Sequence, residues 1–101
     1  MFASVVEFRL NPIFKEEFVV HWQDYVSFLK KHEALIEATL HHETPISLIA
    51  YYKWSSRDSF EEYSLHPRGE ALSISQVLQG YCNDVKLLHR MDIISLKHQE
   101  Q

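Results

Sequence analysis

Glycine, proline and cysteine are scarce in this chain of 101 residues. It contains two glycines, three prolines and one cysteine. Two glycines are too few for a phosphate-cradling loop, which needs several so that its backbone can approach the phosphate. The single cysteine, Cys82, cannot form an intrachain disulfide, which is typical of a reducing compartment and favours a cytoplasmic location. We interpret Cys82 as a small buried apolar residue.

Surplus positive charge and long apolar runs are also missing. The chain has 10 Lys and Arg against 14 Asp and Glu, and its formal net charge is −4. This composition argues against nucleic acid or an anionic membrane as a partner. Glu7 and Arg9 interrupt the first apolar run, so we expect neither a signal peptide nor a membrane-spanning segment. The length predicts a single domain over 1–96, followed by a flexible tail over 97–101.

Alternating and helical patterns follow one another in a definite order. Asn11 and Pro12 suit the start of a helix, because Asn caps well and Pro is tolerated in the first turn. Ser55 is predicted to cap the second helical region. The predicted elements are strands over 3–10, 35–42, 47–54 and 85–96 and helices over 13–32, from 55 to near 66, and over 68–78. This order, β-α-β-β-α-β, predicts an α+β, ferredoxin-like fold with an antiparallel sheet.

Each predicted strand divides into two faces, because successive side chains point to opposite sides. We expect an apolar face to meet the helices; it comprises Val6, Phe8, Leu10, Ile36, Ala38, Leu40, His42, Leu48, Ala50, Tyr52, Trp54, Leu87, His89, Met91 and Ile93. The other face mixes apolar residues with nearly balanced charges, among them Val5, Ile49, Lys86, Leu88, Arg90, Asp92 and Ile94. Such a face suits packing on a second copy of the chain; the alternative is an exposed face with weak, screened ion pairs.

The segment over 50–63, Ala-Tyr-Tyr-Lys-Trp-Ser-Ser-Arg-Asp-Ser-Phe-Glu-Glu-Tyr, resembles a signature of the antibiotic biosynthesis monooxygenase family. Members of this family often end a strand in aromatic-x-x-Trp-x-Ser, followed by a short helix and a small-Pro step. Here His66-Pro67 stands where that step belongs. The run Val-Val-Glu-Phe-Arg-Leu over 5–10 is also similar to the family's first strand. The order of elements resembles the family over nearly the whole chain.

The resemblance implies a dimeric α+β barrel, in which two sheets face each other and each subunit keeps a pocket between its sheet and its helices. Characterised members include cofactor-free oxygenases of quinols and polycyclic phenols, together with haem-degrading relatives. For this chain the resemblance implies no cofactor, a small aromatic substrate and a homodimer formed through the sheet face.

The chain departs from the family at several positions. Members often carry His nine residues after the strand-end Trp and another His just after the Pro, where this chain has Tyr63 and Arg68. The haem-degrading branch uses Asn, Trp and His at positions that here correspond to Phe8, Tyr63 and Ser73. Serine cannot ligate haem iron as histidine does, so haem degradation is not expected.

Oxidation of a phenol or quinol without a cofactor requires a base and an apolar, aromatic cavity. Histidine is the natural base, and three histidines are predicted to face the layer between sheet and helices. These candidate catalytic residues are His21, His89 and His42. Each could instead be a hydrogen-bonded core or rim residue. The side chains expected to hold the substrate rings are Trp22, Tyr25, Tyr52, Trp54, Phe60 and Tyr63, although aromatic residues bury large areas in any core.

The adjacent histidines His41 and His42 do not form a convincing metal site. Neighbours on a strand point to opposite faces, and two ligands are too few for a closed site, so no metal is predicted. The sequence therefore predicts a cofactor-free monooxygenase acting on a quinol-like or polycyclic aromatic compound. Two alternatives stay open: a non-enzymatic small-molecule-binding or interaction module of the same dimeric fold, and a cofactor-free isomerase or lyase with a histidine base.

Overall fold

Four strands and three helices make up the described part of the chain, which in this computed structural model comprises residues 1–66 and 69–94. The elements are the strands β1 (Phe2–Leu10), β2 (Leu35–Thr44), β3 (Ser47–Trp54) and β4 (Cys82–Asp92), and the helices α1 (Lys15–His32), α2 (Arg57–Leu65) and α3 (Gly69–Gly80). A short 3₁₀ turn, Pro12–Phe14, precedes α1. The predicted tail over 97–101, the residues Pro67 and Arg68, and the end of the predicted last strand lie outside the described residues.

All four strands pair in one antiparallel sheet with the order β2-β3-β1-β4. This arrangement confirms the predicted α+β, ferredoxin-like fold. One face of α1 buries apolar side chains at spacings of three and four residues, namely Phe18, Trp22, Tyr25, Val26 and Leu29. These side chains pack on the alternate residues of the two central strands, including Phe8, Leu48, Ala50, Tyr52 and Trp54.

The helix caps differ from the prediction at one position. Asn11 accepts a hydrogen bond from the backbone N–H of Ile13 at 3.3 Å, as its type suggests. At α2, however, the cap is Ser56, whose hydroxyl accepts from the backbone N–H of Ser59 at 3.1 Å. The prediction that Ser55 caps this helix is therefore wrong by one residue.

Strand β4 contains an extra residue that reverses the sides of its second half. Val6 of β1 pairs with Leu87, whereas the preceding Val5 pairs with His89, so Leu88 forms a bulge. Because successive side chains alternate, one extra residue exchanges the two faces beyond it. The prediction that His89 and Met91 face the helices is therefore wrong, since both lie on the opposite face of the sheet.

The residues between them, Arg90 and Asp92, face the helices instead. Arg90 donates a hydrogen bond to the carboxylate of Glu61 at 2.6 Å, and Arg57 donates to that of Asp92 at 2.8 Å. Both ion pairs join β4 to α2. The prediction that Arg90 and Asp92 lie on the outer face is wrong for the same reason, the bulge at Leu88.

A similar irregularity occurs in β2. Leu35 pairs with Trp54 and Glu37 with Lys53, so the register shifts at Ile36. Leu35 is consequently buried, whereas Ile36 is 40% exposed. The buried position predicted for Ile36 therefore belongs to Leu35.

Candidate functional site

A cavity of about 280 Å³ lies between the inner face of the sheet and the helices. Its lining from the sheet is Ser4, Val6, Phe8, Tyr52, Trp54, Val85 and Leu87, and its lining from the helices is Tyr25, Phe60, Tyr63, Ser64, Ser75, Leu78 and Gln79. Ser64 and Gln79 are exposed, and so is Leu87. The cavity therefore opens to solvent where α2, α3 and β4 meet.

The aromatic residues predicted to hold a substrate come together in this cavity, with one exception. Five of the six line it: Tyr25, Tyr52, Trp54, Phe60 and Tyr63. The sixth, Trp22, lies behind Tyr52 and donates its indole N–H to the Tyr52 hydroxyl at 2.8 Å. Two rings stack within the wall, Trp54 and Tyr63, with centroids 5.5 Å apart.

Hydroxyl groups form the polar part of the cavity. The indole N–H of Trp54 donates to the Ser4 hydroxyl at 3.0 Å, and Ser4 and Tyr52 are directly opposite each other on β1 and β3. The hydroxyls of Tyr25 and Tyr63 hydrogen-bond to each other. The cavity thus presents aromatic faces together with these four hydroxyl groups, which come from β1, β3, α1 and α2, and the hydroxyl residues Ser64 and Ser75 also line it.

Burial determines the charge state of these tyrosines. Removal from water raises the pKa of Tyr52 and of Tyr63, because it disfavours the phenolate, and it raises the pKa of Tyr25 well above the ordinary value. Tyr52 and Tyr63 add to the shift at Tyr25 by like-charge repulsion. All three phenols therefore stay protonated and neutral at physiological pH. They can donate hydrogen bonds, but they are not bases.

Phe60 is held at the α2 side of the cavity by ring contacts with Phe2 and Trp54. Its ring lies 5.1 Å from that of Phe2 and 5.6 Å from that of Trp54, centroid to centroid. The guanidinium of Arg90 lies 5.7 Å from the Phe60 ring centroid, and that of Arg57 lies 5.0 Å from the Phe2 centroid. The two ion pairs between α2 and β4 therefore also position the aromatic wall.

None of the three candidate catalytic histidines is among the residues that line the cavity. His21 is half-buried on α1 beside Tyr81, where its Nδ1 lies 2.9 Å from the backbone carbonyl oxygen of Glu17 and 3.2 Å from the Tyr81 hydroxyl. His42 is exposed at the end of β2. His89 is on the opposite face of the sheet because of the bulge.

His42 belongs to a second cleft, of about 270 Å³, between α1 and β2. This cleft is lined by Val19, Trp22, Gln23, Leu40, His41, His42 and Leu48. Trp22 is thus shared, since its ring lines the cleft and its N–H reaches the Tyr52 hydroxyl of the first cavity. The aromatic residues and the histidines that the sequence placed in one layer are divided between two sites.

Of the polar cavity residues that the sequence reasoning missed, Ser4, Ser64, Ser75 and Gln79, only Ser4 is buried. It is 1% exposed and its hydroxyl is bound by Trp54. A serine at an inward position of an otherwise apolar alternating strand is the signal that could have identified it, because a buried hydroxyl needs a hydrogen-bond partner.

Within residues 1–66 and 69–94, neither a cluster of metal ligands nor the thiol of Cys82 forms a second candidate site. No group of three or more His, Cys, Asp or Glu side chains could hold a metal ion there, and no helix is long and apolar enough to cross a membrane. Cys82 is half-buried, and burial raises the pKa of its thiol to about 11, which keeps it protonated.

Comparison with known proteins gives likenesses in structure. No protein-family model matches the sequence, and no curated protein matches it. A variant of SnoaB, a cofactor-independent oxygenase from Streptomyces nogalater, superposes with a TM-score of 0.75 at 17% identity over 94% of each chain. A structure described as an antibiotic biosynthesis monooxygenase superposes with a TM-score of 0.73 at 12% identity, covering 94% of this chain and 100% of the other.

A conserved protein from Methanosarcina mazei has a TM-score of 0.70 at 15% identity, over 86% of this chain and 89% of its own. At identities this low, the superpositions establish the fold and leave the activity open. The likeness inferred from residues 50–63 is confirmed at that level, and the chain has the fold of the antibiotic biosynthesis monooxygenases.

Proposed function

We propose that this chain is a cofactor-free monooxygenase that oxidises a small, electron-rich, quinol-like aromatic compound in the cytoplasm. The observation that carries the proposal is the cavity beneath α2 and α3, which combines aromatic walls with buried hydroxyls. Aromatic faces hold a planar ring, and a few placed polar groups orient its oxygens. The shared fold with SnoaB, which is named a cofactor-independent oxygenase, supports the same reading.

The size of the cavity bears on which substrates it favours. Ligand pockets generally have volumes from about 300 Å³ upward, and this one is about 280 Å³. A compound of one or two rings would lie within such a volume, whereas a larger one would extend through the open mouth. We therefore place monocyclic and bicyclic quinols first among the substrates.

The overall reaction needs no external reductant. The substrate anion supplies the electrons, one atom of O₂ bonds to a ring carbon, and the other leaves as water. For the simplest quinol the balance is C₆H₆O₂ + O₂ giving the hydroxyquinone C₆H₄O₃ + H₂O, in which the new oxygen replaces a ring hydrogen and is conjugated with the quinone carbonyls. The chain's own part is to bind the ring, exclude water from it and stabilise the oxygen of the anion by hydrogen bonds.

The fate of the substrate proton distinguishes this site from one with a histidine base. The lining residues that the structure describes include no imidazole and no carboxylate, and the buried tyrosines are neutral donors. We therefore infer that the proton passes to water at the open mouth, or that the substrate arrives ionised. A base role for His21, His42 or His89 stays a prediction, and their positions outside the cavity argue against it.

Oxygen uptake tests the proposal. Purified protein is given monocyclic, bicyclic and tricyclic quinols and naphthols, with and without a metal chelator, and autoxidation is subtracted. Protein-dependent, chelator-resistant uptake that is fastest with the smaller compounds is the expected result. Absence of uptake with all of them would count against an oxygenase.

The lack of a near-neutral base among the described lining residues also favours a second function, a non-enzymatic binding module. Such a module would bind the same aromatic compounds and leave them unchanged. Tight binding of a quinol under air without oxygen consumption would identify it. An isomerase or lyase is not favoured by any comparable observation.

We also propose a homodimer formed through the outer face of the sheet. Val5, Ile49 and Tyr51 are neighbours there and only half-buried, and Met91 is 42% exposed. A second copy would cover this apolar strip. Sedimentation at micromolar concentration should give a dimer for the unaltered chain and a monomer for Tyr51→Glu. A 12 kDa monomer for both would contradict the proposal.

A further inference from the structure

The hydroxyl groups of the cavity have more protons to donate than the protein itself accepts. An indole N–H can only donate, so in the contact between Trp22 and Tyr52 the phenol oxygen is the acceptor. The phenol's own proton then needs another acceptor. None occurs among the residues that the structure describes, although Tyr52 is only 4% exposed.

Ser4 repeats this arrangement on the neighbouring strand. Its hydroxyl accepts from the indole N–H of Trp54 at 3.0 Å, and the only hydrogen bond found for it within the described residues is this one. Its proton is therefore also unspent, at a position that is 1% exposed and lines the cavity. Two buried indoles thus fix two hydroxyl oxygens as acceptors, and both free protons lie in the cavity wall.

The hydroxyls of Tyr25 and Tyr63 also leave one proton without an acceptor. They bond to each other, so one of them donates and the other keeps a proton. Burial raises the pKa of each phenol, which keeps the donors intact at physiological pH. Because buried donors are normally satisfied, the three spare protons call for an acceptor that the protein does not provide.

We infer that the cavity selects its ligand by accepting oxygens: the hydroxyls of Tyr52 and Ser4 donate hydrogen bonds to a carbonyl or oxyanion oxygen on a small aromatic ring. The favoured class is a quinone or an ionised hydroxyquinone, and a bare aromatic hydrocarbon of the same size is discriminated against. This inference rests on the proposed function in its choice of cavity. It goes further by naming Tyr52 and Ser4 as specificity-determining residues.

Charge sharpens the selection. A hydrogen bond to an ionised acceptor is roughly twice as strong as one between neutral groups. Hydroxyl donors in the wall around a ring stabilise its oxyanion, as the donors of oxyanion holes do in acyl-transfer enzymes. An ionised ligand is therefore expected to depend on the donors more strongly than a neutral quinone does.

Three probes of similar size test the inference under anaerobic conditions, so that binding is separated from turnover. They are naphthalene, which has no acceptor oxygen, 1,4-naphthoquinone, which has two neutral ones, and 2-hydroxy-1,4-naphthoquinone as its anion. The protein variants are Tyr52→Phe, Ser4→Ala and the control Tyr81→Phe. Tyr81 lies in neither lining and undergoes the same loss of a phenol hydroxyl.

For Tyr52→Phe we expect dissociation constants to rise about 3- to 10-fold for the quinone and about 10- to 100-fold for the anion, with less than a 2-fold change for naphthalene. Ser4→Ala should show the same order with smaller factors, and Tyr81→Phe should match the unaltered chain. Equal weakening of all three probes, no weakening of any, or no binding of any probe would each overturn the inference.

Removing the Tyr52 hydroxyl also leaves the Trp22 N–H without its acceptor, so a spectroscopic measurement on the unaltered chain provides a check that needs no variant. The carbonyl stretching band of bound 1,4-naphthoquinone should shift to lower frequency than in an apolar solvent. An unshifted band would contradict hydrogen bonding. Donor-dependent binding without oxygen uptake would leave the inference standing and refute the oxygenase, whereas uptake without donor dependence would do the reverse.

Discussion

The aromatic cavity and the histidine cleft have nearly the same volume and are linked by the hydrogen bond from Trp22 to Tyr52, yet their side chains differ in chemistry. The cavity is lined by aromatic rings and neutral hydroxyl donors. The cleft, between α1 and β2, is lined by His41 and His42 beside aliphatic side chains. A site predicted to combine rings and an imidazole base is therefore two sites. The contrast shows that facing the same layer does not place residues in the same pocket.

Trp54→Ala should have the largest effect, on the stability that supports the cavity. Trp54 is 2% exposed, contacts Tyr63 and Phe60, and satisfies Ser4. Truncation of a buried aromatic residue costs about 3–5 kcal/mol of unfolding free energy. Urea denaturation measures this loss, and His42→Ala in the exposed cleft serves as the control, with a change below about 0.5 kcal/mol. Similar losses for both variants would remove the distinction between a packed site and an open one.

The paired hydroxyls of Tyr25 and Tyr63 provide the next test. Either Tyr25→Phe or Tyr63→Phe leaves one hydroxyl, whose proton is then free for a ligand. Each single variant should therefore weaken 1,4-naphthoquinone binding by less than about 2-fold, and the double variant by about 10-fold, more than the product of the two singles. Titration calorimetry measures the three constants. A double variant no weaker than the product of the singles would show that the pair does not act jointly.

Alkaline stability separates the buried tyrosines from the rest of the chain. The folded pKa of Tyr52 is raised above its ordinary value of 10.0 by burial. In the unfolded chain the phenol ionises first, so its contribution is complete below about pH 10 and is lost as the pH rises towards the folded pKa. Urea midpoints measured between pH 8 and pH 12 should fall above pH 10. Tyr52→Phe should show a shallower fall, and a slope as steep as that of the unaltered chain would contradict this.

The histidine variants should have the smallest effect. A general base contributes about 10²–10⁴-fold to a rate. Because none of the three candidates lines the cavity, His21→Ala, His42→Ala and His89→Ala should each change quinol-dependent oxygen uptake by less than about 2-fold. A loss of 100-fold or more in any one of them would identify that residue as a base and reinstate the sequence-based assignment.

Much of the fold could be predicted because it depends on local patterns. The predicted third strand over 47–54 coincides with β3, Ser47–Trp54, and five predicted ring-binding residues line one cavity. Periodicity identifies which side of a helix or regular strand faces inward. It cannot locate the bulge at Leu88, because that extra residue is set by pairing with β1 and by contacts of β4 with α2.

The site was harder to predict than the fold because it depends on strand register and on contacts between residues that are far apart in the sequence. His89 was misplaced because a one-residue offset exchanges the faces of a strand. Ser4 was missed because its importance lies in a hydrogen bond to Trp54, fifty positions away in sequence. Contacts of that separation depend on the folded arrangement, and residue type alone does not reveal them.

The bulge in β4 also determines how this chain can vary. Before the bulge, Val85 and Leu87 form an apolar part of the cavity lining. After it, Arg90 and Asp92 form ion pairs with α2. Deleting Leu88 would turn both Arg90 and Asp92 to the outer face of the sheet, away from their partners on α2. Replacing Leu88 with another residue would leave the alternation of inward and outward side chains unchanged. Along β4, the number of residues is therefore under tighter constraint than their identity, and natural variation should consist of substitutions without insertions or deletions.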